Sequence, residues 1–294
     1  MKTIHLLPLL LSVILIVCTG CGNQDVPITT DGNVRQMDYS WLQEHHVIAH
    51  AFGGIDEYTY TNSLEAFEAN YAAGFRVFEA DFMLTTENIA VAGHDWAHFY
   101  SITGRTWDSP EEAPALSLEE FRSSRIFEKY TPMTWTEIAT LMSKHPDMYI
   151  VTDTKHTADP MITTTFTQMV TEAQKIDPAI LDRIIPQIYN NEMYDIIYEV
   201  YPWKSVIYTT YNQADEFSYD NVYKFCASRG IKAIATFPAR SDADFTRKVH
   251  RMGGYMLMYT FNDKKQVTDH IDSHDIRAVY TDFLLPEELE PLFE

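Results

Sequence analysis

Cysteine, positive charge and nucleotide-binding glycine motifs are all scarce in this chain of 294 residues. Its three cysteines are too few for the disulfide framework of a small secreted domain. There are 22 basic residues against 42 acidic ones, and the net charge of −20 argues against nucleic-acid binding and against a polybasic membrane-binding surface. Gly-x-x-x-x-Gly-Lys, Gly-x-Ser-x-Gly and His-Glu-x-x-His do not occur. P-loop nucleotide binding, serine hydrolase chemistry and zinc protease chemistry are therefore not expected.

The N-terminus has the pattern of an export signal. Lys2 is followed by an apolar run over residues 6–17 and then by Cys-Thr-Gly before Cys21. The run is shorter than the roughly 20 apolar residues of a membrane span. We interpret residues 1–20 as a lipoprotein signal peptide, with Cys21 lipidated and residues 21–38 forming a polar tether. The domain would then be anchored to the bacterial cell membrane, outside the cytoplasm; an uncleaved anchor or a plain secretory signal would also export it.

Residues 39–294 are predicted to form one compact domain, because the chain is 46% hydrophobic and 13% aromatic. The predicted strands lie near 47–50, 77–84, 149–155, 184–189, 204–210, 231–237, 255–261 and 277–282. The predicted helices lie near 63–73, 134–145, 161–175, 191–200, 217–229, 242–252 and 264–273. This alternation indicates parallel strands joined by crossover helices, and eight strands predict an α/β fold of the (β/α)₈ TIM-barrel type.

Two local features add to this fold. The segment at about 85–133 is longer than a barrel loop needs and is interpreted as an insertion after the second strand. It holds a strand-like run at 89–92 and a capped helix from Ser117, and such insertions usually belong to the active-site face. Asn62, three residues before Glu65, is explained as the N-cap of the next helix.

Acidic side chains are predicted to converge at one end of the barrel. Glu79 and Asp81 are two residues apart on one strand and share a face, as do Asp153 and Lys155 on the next. Three converging carboxylates would repel one another without a cation, and oxygen ligands suit calcium or magnesium. The sequence therefore predicts a divalent-cation site at Glu79, Asp81 and Asp153.

Two histidines complete the candidate site. His50 ends the first predicted strand, and His94 lies in Gly-His-Asp after the second. Two imidazoles beside a cation suit phosphodiester cleavage, because the cation neutralises a phosphoryl oxygen while one histidine takes a proton and the other gives one. Cys226 lies in a helical pattern and is predicted to be a buried packing residue rather than a nucleophile.

The ordered set of motifs resembles the glycerophosphodiester phosphodiesterase family, within the phosphatidylinositol phospholipase C-like barrel superfamily. The motifs are His50, Asn-Ser-Leu-Glu-Ala-Phe at 62–67, Glu-x-Asp at 79–81, His-Asp at 94–95, and the segments 152–155, 186–189, 259–262 and 280–282. The resemblance implies cleavage of glycerophosphodiesters to glycerol 3-phosphate and an alcohol, with His50 and His94 catalytic. It also implies that Lys155 contacts the phosphate; the alternative is an ion pair with Asp153 or Glu79.

The chain departs from the family pattern at several positions. Ala51 replaces the arginine after the first histidine and removes a bidentate phosphate donor. Asp153 replaces a glutamate, and Tyr259 replaces a tryptophan facing the alcohol group. Backbone N–H groups of Gly53 and Gly54 could serve the phosphate instead, or the pair could simply form a turn.

Other functions stay open on the same fold. A phospholipase D-like or phosphoinositide-cleaving enzyme would fit the altered Ala51 and Tyr259. A catalytically inactive surface binding lipoprotein is the alternative of a different class, but retention of the acidic and histidine positions argues against it. The expected partners are a small-molecule or lipid head-group phosphodiester and the membrane holding the anchor, with no nucleic acid.

Overall fold

The computed structural model describes residues 34–108, 112–211 and 218–293, which form one nine-stranded sheet wrapped by helices. The strands are β1 Val47–Ala49, β2 Val77–Leu84, β3 Ala90–Ala92, β4 Tyr149–Thr154, β5 Ile184–Ile188, β6 Ile207–Thr209, β7 Ala233–Thr236, β8 Tyr255–Met258 and β9 Ile276–Thr281. The helices are α1 Trp41–Glu44, α2 Leu64–Ala72, α3 Trp96–Ile102, α4 Leu118–Ser123, α5 Trp135–Lys144, α6 Met161–Ile176, α7 Asn191–Val200, α8 Tyr219–Arg229, α9 Ala243–Arg251, α10 Lys264–His274 and α11 Pro286–Leu289.

Eight parallel strands close into a barrel, because β1 pairs with both β9 and β2. The remaining strand of the sheet, β3, pairs antiparallel with the C-terminal part of β2 and lies outside the parallel ring. Every predicted strand and crossover helix occurs, with boundary differences of a few residues. The predicted (β/α)₈ fold is therefore confirmed.

Helix starts follow their capping residues. Thr134 caps α5 in a reciprocal box with Glu137, as its spacing predicts. Ser63, and not Asn62, caps α2, since the Ser63 hydroxyl accepts from the backbone N–H of Ala66. The interpretation of Asn62 as an N-cap is thus wrong, and its side chain is used elsewhere.

The chain between β2 and α5 forms a small layer with its own apolar cluster. It contains β3, α3 and α4, and the rings of Phe99 and Phe121 stack there with centroids 4.9 Å apart. Met83 on β2 joins the same cluster, so this layer is fixed to the barrel. Because it follows the C-terminal end of β2, it borders the end of the barrel where sites form.

The opposite end of the barrel is closed by the first described residues. The Tyr39 hydroxyl donates to the carbonyl of Val206 at 2.8 Å and accepts from the N–H of Lys232 at 3.0 Å, just before β6 and β7. Met37, within the predicted tether, is already buried. The predicted signal peptide and Cys21 lie outside the described residues. Among the described helices, none combines the length and apolar character needed to cross a membrane.

Candidate active site

A cavity opens among the C-terminal ends of the barrel strands. Five of the six predicted catalytic, phosphate and cation residues line it: His50, Glu79, His94, Asp153 and Lys155. The sixth, Asp81, is directly opposite Asp153 in the register of β2 and β4. The structure therefore brings all six together.

The three carboxylates form one acidic cluster. One oxygen from each of Glu79, Asp81 and Asp153 lies within 4.8 Å of the others. Glu79 and Asp81 are almost fully buried, with 2% and 1% exposed. Adjacent parallel strands place these side chains side by side, as the spacing predicts.

This cluster fits a cation on grounds of unmet bonding and charge. Glu79 Oε1 and Asp153 Oδ1 are buried and accept no hydrogen bond from any residue that the structure describes, although buried acceptors are normally paired. Burial, followed by the negative charge of Asp81, raises the pKa of Glu79 to about 8. Burial also raises the pKa of Asp153. A hard divalent ion would satisfy both oxygens and offset the repulsion.

Lys155 supplies one positive charge beside the cluster. Its Nζ lies 2.8 Å from Asp81 Oδ1 and 2.9 Å from Asp153 Oδ2. Burial alone would lower the pKa of Lys155, but these two carboxylates raise it above its usual value. The ion pair with Asp153, which was the alternative to a phosphate contact, is present, and the second partner is Asp81, not Glu79. A phosphate contact by Lys155 stays a prediction.

His50 is oriented by a carboxylate from the far end of the chain. Its Nδ1 lies 2.9 Å from Asp282 Oδ1, and Asn262 Nδ2 donates to the other oxygen of Asp282 at 2.7 Å. Burial opposes protonation, but the hydrogen bond to Asp282 and the charge of Glu79 raise the pKa of His50 to about 9. Sequence reasoning missed Asp282 and Asn262 as site residues, although both lie in motifs that carry the resemblance.

His94 is held in a similar way. Its Nδ1 lies 2.6 Å from Asp95 Oδ2, while the other oxygen of Asp95 caps α3 by accepting from the N–H of His98 at 2.7 Å. In the described part of the chain, no protein atom hydrogen-bonds to Nε2 of His50 or His94. On both imidazoles, Nε2 is therefore free of hydrogen bonds from the described residues.

Asn62 is a buried partner of the acidic cluster. Its side-chain N–H₂ donates to Asp81 Oδ2 at 2.9 Å, and its oxygen accepts from the N–H of Asp81 at 3.1 Å. Two bonds to one residue fix the carboxylate on β2. The sequence did not indicate this contact with Asp81, because the spacing of Asn62 and Glu65 already matched a helix-capping pattern.

Gly53 and Gly54 do not offer their amides to the cavity. The N–H of Gly53 donates to the carbonyl of His50 at 2.7 Å, and that of Gly54 to the carbonyl of Asp282 at 2.6 Å. The suggestion that they replace the family arginine is wrong, and the turn interpretation is correct. A Cβ on Gly53 would lie 2.5 Å from Asn70 Nδ2, at a φ of +85°.

Gly53→Ala is expected to reduce the free energy of unfolding by about 1–3 kcal/mol, because it combines a left-handed backbone with a steric clash. Gly104→Ala is the matched control, since its φ is +67° and no atom lies within 4 Å of its Cβ position. Urea unfolding compares the two. An equal decrease in the free energy of unfolding for the two variants would show that the clash with Asn70 does not contribute to the destabilisation.

The far wall of the cavity is rich in tyrosine. The Tyr259 hydroxyl lies 3.1 Å from Thr209 Oγ1, and the Tyr280 hydroxyl donates to Gln187 Oε1 at 3.0 Å. Tyr259 thus lies in the wall, where its motif places it. Tyr60 also lines the cavity and was not found from sequence.

A TIM barrel with carboxylate-oriented imidazoles beside an acidic cluster has, at its C-terminal strand ends, the acid–base groups that a hydrolase uses. The chain belongs to the glycerophosphoryl diester phosphodiesterase family, whose sequence profile matches residues 53–285, and it is a phosphoric diester hydrolase. The match includes all the predicted site residues of the barrel except His50, which lies three residues before it.

Solved structures share the fold at low sequence identity. A Silicibacter pomeroyi protein has a TM-score of 0.69 and 16% identity, over 84% of this chain and 92% of its own. An Oleispira antarctica phosphodiesterase in complex with the product sn-glycerol-3-phosphate has a TM-score of 0.67 and 18% identity, over 86% and 98%. A Parabacteroides distasonis glycerophosphodiester phosphodiesterase has a TM-score of 0.65 and 18% identity, over 84% and 96%.

Proposed function

We propose that the protein is a divalent-cation-dependent phosphodiesterase that cleaves glycerophosphodiesters to glycerol 3-phosphate and an alcohol. One observation carries the proposal: two imidazoles line the same cavity as Glu79 and Asp153, whose unpaired oxygens belong to one acidic cluster with Asp81. The product bound by the Oleispira antarctica phosphodiesterase supports this substrate class.

Glu79, Asp81 and Asp153 are the residues that would hold the cation. A bound calcium or magnesium ion supplies positive charge to a phosphoryl oxygen. Lys155 lies beside this position and adds a second positive charge.

The two histidines divide the proton transfers in this proposal. One Nε2 accepts the proton of the attacking oxygen, and the other donates a proton to the oxygen of the leaving alcohol. Asp282 and Asp95 hold the Nδ1 atoms of His50 and His94, so each ring has a fixed orientation. The attacking oxygen belongs to water or to a neighbouring hydroxyl of the substrate.

Product analysis tests the proposal. The protein is incubated with glycerophosphocholine, a lysophospholipid and phosphatidylinositol, and the products are identified by mass spectrometry. Glycerol 3-phosphate and choline support the proposal, and a cyclic phosphate shows attack by the substrate hydroxyl. Cleavage of the lysophospholipid or phosphatidylinositol alone favours the phospholipase D-like or phosphoinositide-cleaving alternative. No product from any substrate favours the binding lipoprotein.

We also propose that Cys21 is lipidated and anchors the domain outside the cytoplasm. The support is the sequence alone: an apolar run over residues 6–17 followed by small residues before Cys21. Cys21→Ser is expected to leave the membrane fraction or to accumulate as precursor, whereas the control Cys18→Ser behaves as the parent. A processed Cys21→Ser protein that still fractionates with membranes contradicts the anchor.

A further inference from the structure

Tyr60 lies between the two imidazoles of the site. Its ring meets that of His50 at a centroid distance of 4.6 Å and an angle of 80°, and that of His94 at 5.2 Å and 89°. Both contacts are edge-to-face, a favourable arrangement for aromatic rings. One side chain therefore contacts both of the groups proposed to transfer protons.

The backbone at Tyr60 is in an unusual conformation. Its φ is +57°, in the left-handed region that tyrosine rarely adopts. Such conformations occur where surrounding contacts over-determine them, often at functional sites. The neighbouring bond from the N–H of Asn62 to the carbonyl of Ala51 helps to hold this loop against the end of β1.

The Tyr60 hydroxyl is available to a ligand. Tyr60 lines the cavity, and its oxygen forms no hydrogen bond with any residue that the structure describes. Burial and the negative charge of Asp282 raise the pKa of Tyr60 to about 12, so the hydroxyl keeps its proton and can donate it.

Among the described residues, the cavity has few positively charged donors for a phosphate. Ala51 supplies none where the family pattern has arginine, and the amides of Gly53 and Gly54 are bonded to backbone carbonyls. Lys155 is the one lysine or arginine among the described residues lining the cavity, and it is held by Asp81 and Asp153. A neutral donor beside the imidazoles would compensate for the missing guanidinium.

We propose that Tyr60 is a substrate-binding residue whose hydroxyl donates a hydrogen bond to a phosphoryl oxygen, while its ring fixes the separation of His50 and His94. This inference rests on the proposed function, because it takes the ligand to be a phosphodiester.

Two variants separate the two parts of the proposal. Tyr60→Phe keeps the ring and removes the hydroxyl. It is expected to weaken binding of sn-glycerol 3-phosphate, measured by calorimetry, by roughly 10-fold or more, as for a hydrogen bond to a charged group. Its KM for glycerophosphocholine should rise in parallel. Tyr60→Ala also removes the ring contacts and should lower kcat further and change the pH profile of kcat.

Tyr58→Phe is the matched control. Tyr58 lies in the same loop, but its ring stacks on Phe127 with centroids 3.9 Å apart, away from the cavity. Tyr58→Phe is expected to bind sn-glycerol 3-phosphate and to turn over glycerophosphocholine as the parent does. Circular dichroism and urea midpoints verify folding, and if Tyr60→Ala does not fold, Tyr60→Phe alone decides the role of the hydroxyl.

The results distinguish this inference from the proposed function. Unchanged binding and KM in Tyr60→Phe overturn the hydroxyl contact, and equal kcat in Tyr60→Phe and Tyr60→Ala overturns the spacing role. If the parent cleaves no glycerophosphodiester but binds sn-glycerol 3-phosphate in a Tyr60-dependent way, the proposed function fails and the contact stands. If the parent neither cleaves nor binds, both are overturned.

Discussion

His50→Ala and His94→Ala are each expected to lower kcat by about 10²–10⁴-fold, the usual contribution of a general acid or base. Each imidazole is held at Nδ1 by its own carboxylate and has Nε2 free at the cavity. Because each ring is fixed in place, one histidine should not be able to take over the proton transfer of the other. Turnover of glycerophosphocholine measures the effect.

His270→Ala provides a control on the outer helix α10, where its Nδ1 bonds to the carbonyl of Gln266. It should leave kcat unchanged. Circular dichroism should show a native fold for all three variants. Near-normal turnover in either site variant means that its histidine takes no part in the proton transfers.

Removing divalent cations is expected to abolish turnover, and adding calcium or magnesium back should restore it. The reason is the unpaired oxygens of Glu79 and Asp153 and the repulsion within the acidic cluster. Dialysis against a chelator, followed by calorimetric titration with each ion, measures both activity and binding.

Glu79→Gln tests the same cluster at one ligand. It should weaken cation binding while leaving the fold intact, because the amide keeps the shape of the carboxylate. At a free cation concentration 100 times the dissociation constant of the parent, binding should raise the parent's free energy of unfolding by about 2.7 kcal/mol. At the same concentration the increase for Glu79→Gln should be smaller, because its binding is weaker. Glu68→Gln on the exposed face of α2 is the control. Full activity after dialysis would refute a cation requirement.

The barrel and its acidic cluster could be predicted because their signals are local. Strand and helix periodicities extend over single elements, and Glu79 and Asp81 share a face through their spacing alone. The parallel order of β2 and β4 then places Asp153 beside them.

The rest depends on contacts between distant residues. His50 and Asp282 are 232 positions apart, and they meet because β1 and β9 pair to close the ring. Asn62 was misread because a local capping pattern explained it, whereas its partner is Asp81. Tyr60 carries no motif, since its position depends on a left-handed loop and on two rings from other segments.

The contacts of Tyr39 place the first described residues at the end of the barrel opposite the cavity. The chain enters at the N-terminal ends of β6 and β7, and the cavity opens at the other end of the same strands. If Cys21 carries the proposed lipid, the chain leading from it reaches the barrel at the end opposite the cavity. The anchor and the substrate would then meet the domain at different ends, so that the attachment leaves the mouth of the cavity unobstructed.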